Sequence, residues 1–181
     1  MSQKIIFKSY FKNYIPEPQP SLLHLPEHYK KLKSFMNDSI TSVTVDIRFR
    51  YDQKEEKVMW EISDVLSGTG LEKNLKPMAH DNFQMPNELR HPNRTVEAIF
   101  KWMNLWKIET PAGYSCIFTQ PFNRVSPFKI IDGIVDTDTF DEVINFPFFW
   151  TTPVDKPVVV KRGSPMALKR KVENEDGINA L

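Results

Sequence analysis

The stretch DGIVDTD (residues 132–138) sets two carboxylates, Asp136 and Asp138, two positions apart and close behind a glycine, Gly133. Carboxylates so spaced suit two chemistries. They accept hydrogen bonds from the N–H groups of a tight turn, or they hold a hydrated Mg2+ together with a polyphosphate. Gly133 would supply a positive φ or a close approach of the backbone, and strand alternation presents the Asp136 carboxylate from one face of the hairpin. Upstream, the turn NRVS (123–126) offers the guanidinium of Arg124 and the hydroxyl of Ser126. An arginine in such a turn serves first as a surface or interface ion-pair donor.

The other reactive side chains point away from catalysis. Cys116 is the single cysteine, which excludes an intrachain disulfide framework and a four-thiolate zinc site. Its place among apolar neighbours in an alternating strand predicts a buried, inert thiol. The histidines, His24, His28, His80 and His91, all fall in the first half of the chain. His24 and His28 have the i, i+4 spacing of a helical ligand pair, but Pro26 stands between them, and no metal site is expected.

The elements that must carry these groups are predominantly strands. VTVDIRFR (43–50) alternates apolar and polar residues, and VMWEI (58–62) repeats the pattern after the charged link YDQKEEK, which predicts a hairpin. VEAIFKWM (96–103) has apolar residues at helical spacing but β-branched and aromatic content, so its spacing admits either element. From Leu105 onward, short apolar runs alternate with turn chemistry (LWKIE, PAGYSCIFTQP, KIIDGIVDTD, VINFPFFW, VVVKRGSP), the pattern of an all-β barrel or sandwich. The chain divides into an extended proline-rich arm over 1–41 with a short helix near 28–36, a β-rich core over 42–168, and a flexible tail over 169–181. Residues 64–94, broken by glycines and prolines, read as a loop region. In FPFFW (146–150), Phe148, Phe149 and Trp150 cannot all point inward from one strand. They are expected either beneath the proline-rich arm or in a subunit interface.

Composition bounds the rest. With 181 residues, 40% hydrophobic and 26% charged, the chain reads as one folded domain. Twenty-four Lys and Arg against 23 Asp and Glu leave a net charge of +1, which argues against non-specific binding to nucleic-acid backbones. No apolar run approaches the length of a membrane span, and the polar N-terminus lacks a signal-peptide core. The expected location is the cytoplasm.

The ordered set GYSCIF (113–118), DGIVDTD (132–138) and KRGSPMA (161–167) resembles the trimeric dUTPase and dCTP deaminase group of β-clip proteins. In that group a strand after a Pro-Gly turn is followed by a hairpin of the form Gly-Val-Ile-Asp-x-Asp-Tyr, then by a Lys-Gly-Asp-x-Ile-Ala-Gln strand. The resemblance covers roughly residues 106–168 and extends to domains of phage and bacterial origin. It implies a mainly β, dUTPase-like β-clip barrel with one or two short helices, assembled as a homotrimer. It also implies a sugar pocket at the hairpin near Gly133 and Phe140, a water-activating base at Asp136 with Asp138 assisting, and a phosphate turn at Arg124 and Ser126.

The chain departs from that pattern at several positions. Thr139, followed by Phe140, stands where the family has the aromatic residue that closes over deoxyribose. Asp141-Glu142 replaces Arg-Gly-Glu, Ser164-Pro165 replaces the acidic and variable pair, and Leu168 stands in place of a glutamine. A retained skeleton with altered site residues favours a non-catalytic, phage-encoded protein that binds a nucleotide, with Mg2+ as an accompanying ion, or a protein partner. The alternatives are an active nucleotide hydrolase or deaminase using Asp136, and a virion-associated capsid or tail component.

Overall fold

The computed structural model describes residues 5–20, 39–43, 46–52, 54–55, 57–62, 75–80, 89, 91–122, 124–153 and 155–173. The helix expected over 28–36, His24, His28 and the chain beyond 173 lie outside these residues. The elements wholly within them are strands: β1 (Ile6–Lys8), β2 (Gln19–Pro20), β3 (Ser39–Ser42), β4 (Ile47–Asp52), β5 (Lys57–Ile62), β6 (Met78–Ala79) and β7 (Ile99–Trp102). They continue with β8 (Lys107–Glu109), β9 (Tyr114–Thr119), β10 (Phe128–Ile130), β11 (Gly133–Val135), β12 (Phe146–Trp150), β13 (Val158–Val160) and β14 (Pro165–Glu173).

The fold is mainly β, in four antiparallel sheets: β1-β8, β10-β12-β7-β6, β11-β9-β14-β3-β2 and β13-β4-β5. The expected closed barrel is not formed among the described residues, because each sheet keeps two open edges. No described helix is long and apolar enough to cross a membrane.

The predicted hairpin forms as β4 and β5, with Ile47 and Phe49 buried and Arg48 and Arg50 exposed. Its turn is fixed by Asp52, whose Oδ1 accepts the backbone N–H groups of Lys54 (3.0 Å) and Glu55 (3.3 Å). The ambiguous run 96–103 resolves as strand β7. Its Phe100 pairs with Phe148 across the ladder, and ring contacts only a sheet allows outweigh the helical spacing. Residues 1–41 are more than a covering arm. β1 pairs with β8 and β2 with β3, so the segment is hydrogen-bonded into two sheets. Residues 169–173, expected in the tail, instead complete β14, whose longest ladder runs along β9 from Leu168↔Thr119 to Glu173↔Tyr114.

The core is aromatic. Trp102 stacks on Phe148 at 5.1 Å and meets Phe128 edge-on, while Phe49 packs on Trp150 at 4.7 Å. Phe148, Phe149 and Trp150 are all buried within the single chain. Phe146, Phe148 and Trp150 share one strand face in the main core. Phe149, on the other face, is covered by the stacked ring of His91 (5.9 Å) and by the Arg94 guanidinium (5.7 Å). The proline-rich segment docks elsewhere: Pro16 O accepts the indole N–H of Trp106 at 3.0 Å, and Ile15 is buried.

Candidate functional site

Asp136 and Asp138 lie in the turn after β11, folded against the turn that leads into β9. Asp136 Oδ1 accepts the hydroxyl of the buried Ser115 at 2.6 Å, and its main-chain carbonyl accepts the N–H groups of Phe140 (2.9 Å) and Thr139 (3.1 Å). Asp138 Oδ2 accepts the N–H of Gly113 at 2.7 Å. Between them the buried Thr137 hydroxyl meets Thr110 Oγ1 at 2.8 Å, and the Thr110 hydroxyl lies 2.6 Å from the Tyr114 carbonyl oxygen. Gly113 has φ +82°, the left-handed conformation that lets the turn reverse and aim its N–H at Asp138.

Cys116, in the adjoining strand, is fully buried as expected. Burial pushes its thiol up in pKa, with a hydrogen bond to Thr137 pulling the other way. The two aspartates thus join two turns through side-chain hydrogen bonds, the turn chemistry that their spacing also allowed.

Gly133 corrects an expectation. Its φ is not in the positive region, and a Cβ placed on it meets nothing within 4 Å. It is a residue of the edge strand β11 and does not accommodate a close approach. Phe140 and Ile134 in the same hairpin are exposed.

Arg124 and Ser126 line a different place, a depression of about 400 Å³ between the 120–128 connection, β13 and the start of β14. Gln120 and Ser164 add polar groups to its wall, while Val125 and Val158 to Val160 supply an apolar surface. The neighbouring turn 161–164 is rigidly tied. Asp46 accepts the Arg162 N–H and the Lys161 ammonium, both at 2.8 Å, and these two donors hold its carboxyl below the usual range. Val43 N donates to Ser164 O at 2.8 Å. The structure therefore brings Arg124 and Ser126 together, but neither Asp136 nor Asp138 lines that depression.

A larger cleft, of about 880 Å³, opens where β1 and β8 meet residues 141–145. Its rim carries a chain of ion pairs, Lys8 to Glu109 (2.6 Å), Glu109 to Lys107 (3.1 Å) and Lys107 to Asp141. Asp141 and then Glu109 raise the pKa of the Lys107 ammonium, while Lys8 and then Lys107 lower that of Glu109. Lys8, Lys107 and Glu109 were not singled out from the sequence, and Asp141 was noted only as a departure from the β-clip pattern, because positions 8, 107 and 141 carry no shared local pattern. Only Glu109, two residues from Lys107 on β8, was within reach of a strand-pattern reading.

Among the described residues no group of three or more His, Cys, Asp or Glu side chains is placed to hold a metal ion. No family model, curated protein or solved structure matches the chain.

Proposed function

We propose that the protein is a non-catalytic, β-clip-like binding protein of phage type, which takes a phosphate-bearing ligand, a nucleotide, at the depression walled by Arg124, Ser126 and Ser164. One observation carries this reading. The aspartates that hydrolysis would require are joined to Ser115 and Gly113, while the phosphate-gripping donors line a separate concavity. A planar guanidinium matches phosphate oxygens, the hydroxyls of Ser126 and Ser164 add neutral donors, and the valines of β13 offer an apolar surface for a base or sugar. Mg2+ belongs to this reading only as the companion of a polyphosphate. Homotrimeric assembly is part of the same proposal.

Thermal unfolding with nucleoside mono-, di- and triphosphates plus magnesium tests it. A ligand present at about 100 times its Kd adds about 2.7 kcal/mol, roughly 5 to 11 °C in a domain of this size. A shift that one nucleotide class produces in the native chain and not in Arg124→Ala supports the site. No shift with any nucleotide removes it. A mass of 21.2 kDa by light scattering would remove the trimer.

A further inference from the structure

Lys169 sits in the middle of β14 and is wholly buried. Its ammonium nitrogen has no hydrogen-bond partner among the described residues and lies 4.4 Å from the centroid of the Phe7 ring. Across the β14–β3 ladder Lys169 stands opposite Ser39, and Ala167 opposite Thr41. The hydroxyl oxygens of Ser39 and Thr41 are likewise buried with no hydrogen-bond partner. Paired and next-but-one residues share a face of a sheet, so three polar groups lacking partners occupy one patch of one face.

Among the described residues no carboxylate is paired with the lysine. From β9 it is neighboured by Phe118, its ladder partner, and by the Cys116 thiol, whose partner on β14 is a second cation, Lys171. Burial alone drives the Lys169 amine well below its ordinary pKa. A buried cation without a partner is among the costliest features a core can hold, and an aromatic face compensates it less than a carboxylate would.

Over the ammonium lies Phe7 of β1, a strand of three residues. One ladder to β8 holds it, Phe7 opposite Ile108, with the Lys8–Glu109 ion pair alongside.

We propose that the seat of β1 is an acceptor site for an extended segment of a partner protein that presents one inward-facing carboxylate. Such a segment would pair with β8 in place of residues 6–8 and carry Glu or Asp where Phe7 stands. Its main chain takes over the ladder to β8, and its carboxylate supplies a counter-ion to Lys169. β1 is the resident occupant of this seat, and a chain with the better-matched side chain displaces it. The site is independent of the nucleotide reading.

The first test is a double-mutant cycle in the full-length chain. Phe7→Glu is expected to keep the native Tm, whereas Phe7→Gln lowers it, and in a Lys169→Met background Phe7→Glu lowers Tm by about 3 °C or more relative to its effect in the native chain. Equal effects of Phe7→Glu in the two backgrounds overturn the carboxylate seat. The second test adds a fluorescent peptide of the sequence of residues 4–10, with Glu in place of Phe7, to the full-length chain. Saturable binding that Lys169→Met abolishes supports displacement. Failure to bind, or equal binding to both proteins, overturns it.

Discussion

Two polar regions flank strand β9, and they are built on opposite principles. On the β11 side, Thr110, Gly113, Ser115, Asp136, Thr137 and Asp138 form hydrogen bonds with one another across two turns. On the β14 side, the Lys169 ammonium and the hydroxyl oxygens of Ser39 and Thr41 are buried with no hydrogen-bond partner among the described residues. The first region has the residue types of an active site and uses them as a structural joint. The second lies across β14 and β3, centred on Lys169 just past the KRGSPMA stretch, and carries the larger electrostatic debt.

Relieving the unpaired side should have the largest effect. Lys169→Met keeps the stem and removes the charge, and is expected to stabilise the fold by about 2 to 4 kcal/mol at pH 7, read as a higher urea midpoint. The pH dependence gives an independent check. The folded state lowers the Lys169 pKa, so between that lowered value and the ordinary lysine value of 10.5 the unfolded chain binds more protons than the folded one. Stability should therefore rise with pH through that window and be lowest below it. The Lys169→Met variant should lose this contribution to the slope. A variant no more stable than the native chain, with an unchanged slope, would show that the lysine is not strained.

Cutting the paired side should cost less and carry the opposite sign. Asp136→Ala leaves the buried Ser115 hydroxyl without its acceptor and should cost about 1 to 3 kcal/mol. Asp136→Asn retains an oxygen in that place and should cost under about 1 kcal/mol. Equal losses in the two variants would mean that the negative charge, and not the hydrogen bond, holds the turns together.

How much of this was legible in the sequence follows from how local each signal is. The β4–β5 hairpin was readable because alternation and a polar turn are properties of neighbouring residues. The mainly β character of residues 105–165 was readable for the same reason. The strand state of Ile99–Trp102 was not, since the rings of Phe148 and Trp60 that Phe100 meets are remote in sequence. Arg124 and Ser126 were legible as a pair because a single residue separates them, whereas the β13 valines and Ser164 that complete their depression arrive from about thirty to forty residues downstream. Lys169 was assigned to a solvated tail because KRKVENED reads as one. The pairing of β14 between β3 and β9, with Phe7 standing over the ammonium, buries it.

A smaller effect is expected at the backbone of the paired region. Gly113 has φ +82°, and a Cβ there meets no atom within 4 Å, so Gly113→Ala carries backbone strain without a clash. The expected loss is about 1 to 2 kcal/mol, measured by urea unfolding. A loss several times larger would mean that the Gly113 N–H to Asp138 contact moves with the turn and that the joint fails as a unit.

The smallest stability effect is expected where the proposed function lies. Arg124 is exposed, so Arg124→Ala should leave the urea midpoint within about 0.5 kcal/mol of native. Its consequence should appear only in the presence of a phosphate-bearing ligand, as the loss of a ligand-induced thermal shift. That dissociation of binding from stability separates a binding arginine from a structural one. If Arg124→Ala instead destabilised the unliganded chain by more than about 1 kcal/mol, the side chain would belong to the fold, as Asp136 does, and the contrast between a structural joint and an open site would have to be redrawn around the Lys169 seat alone.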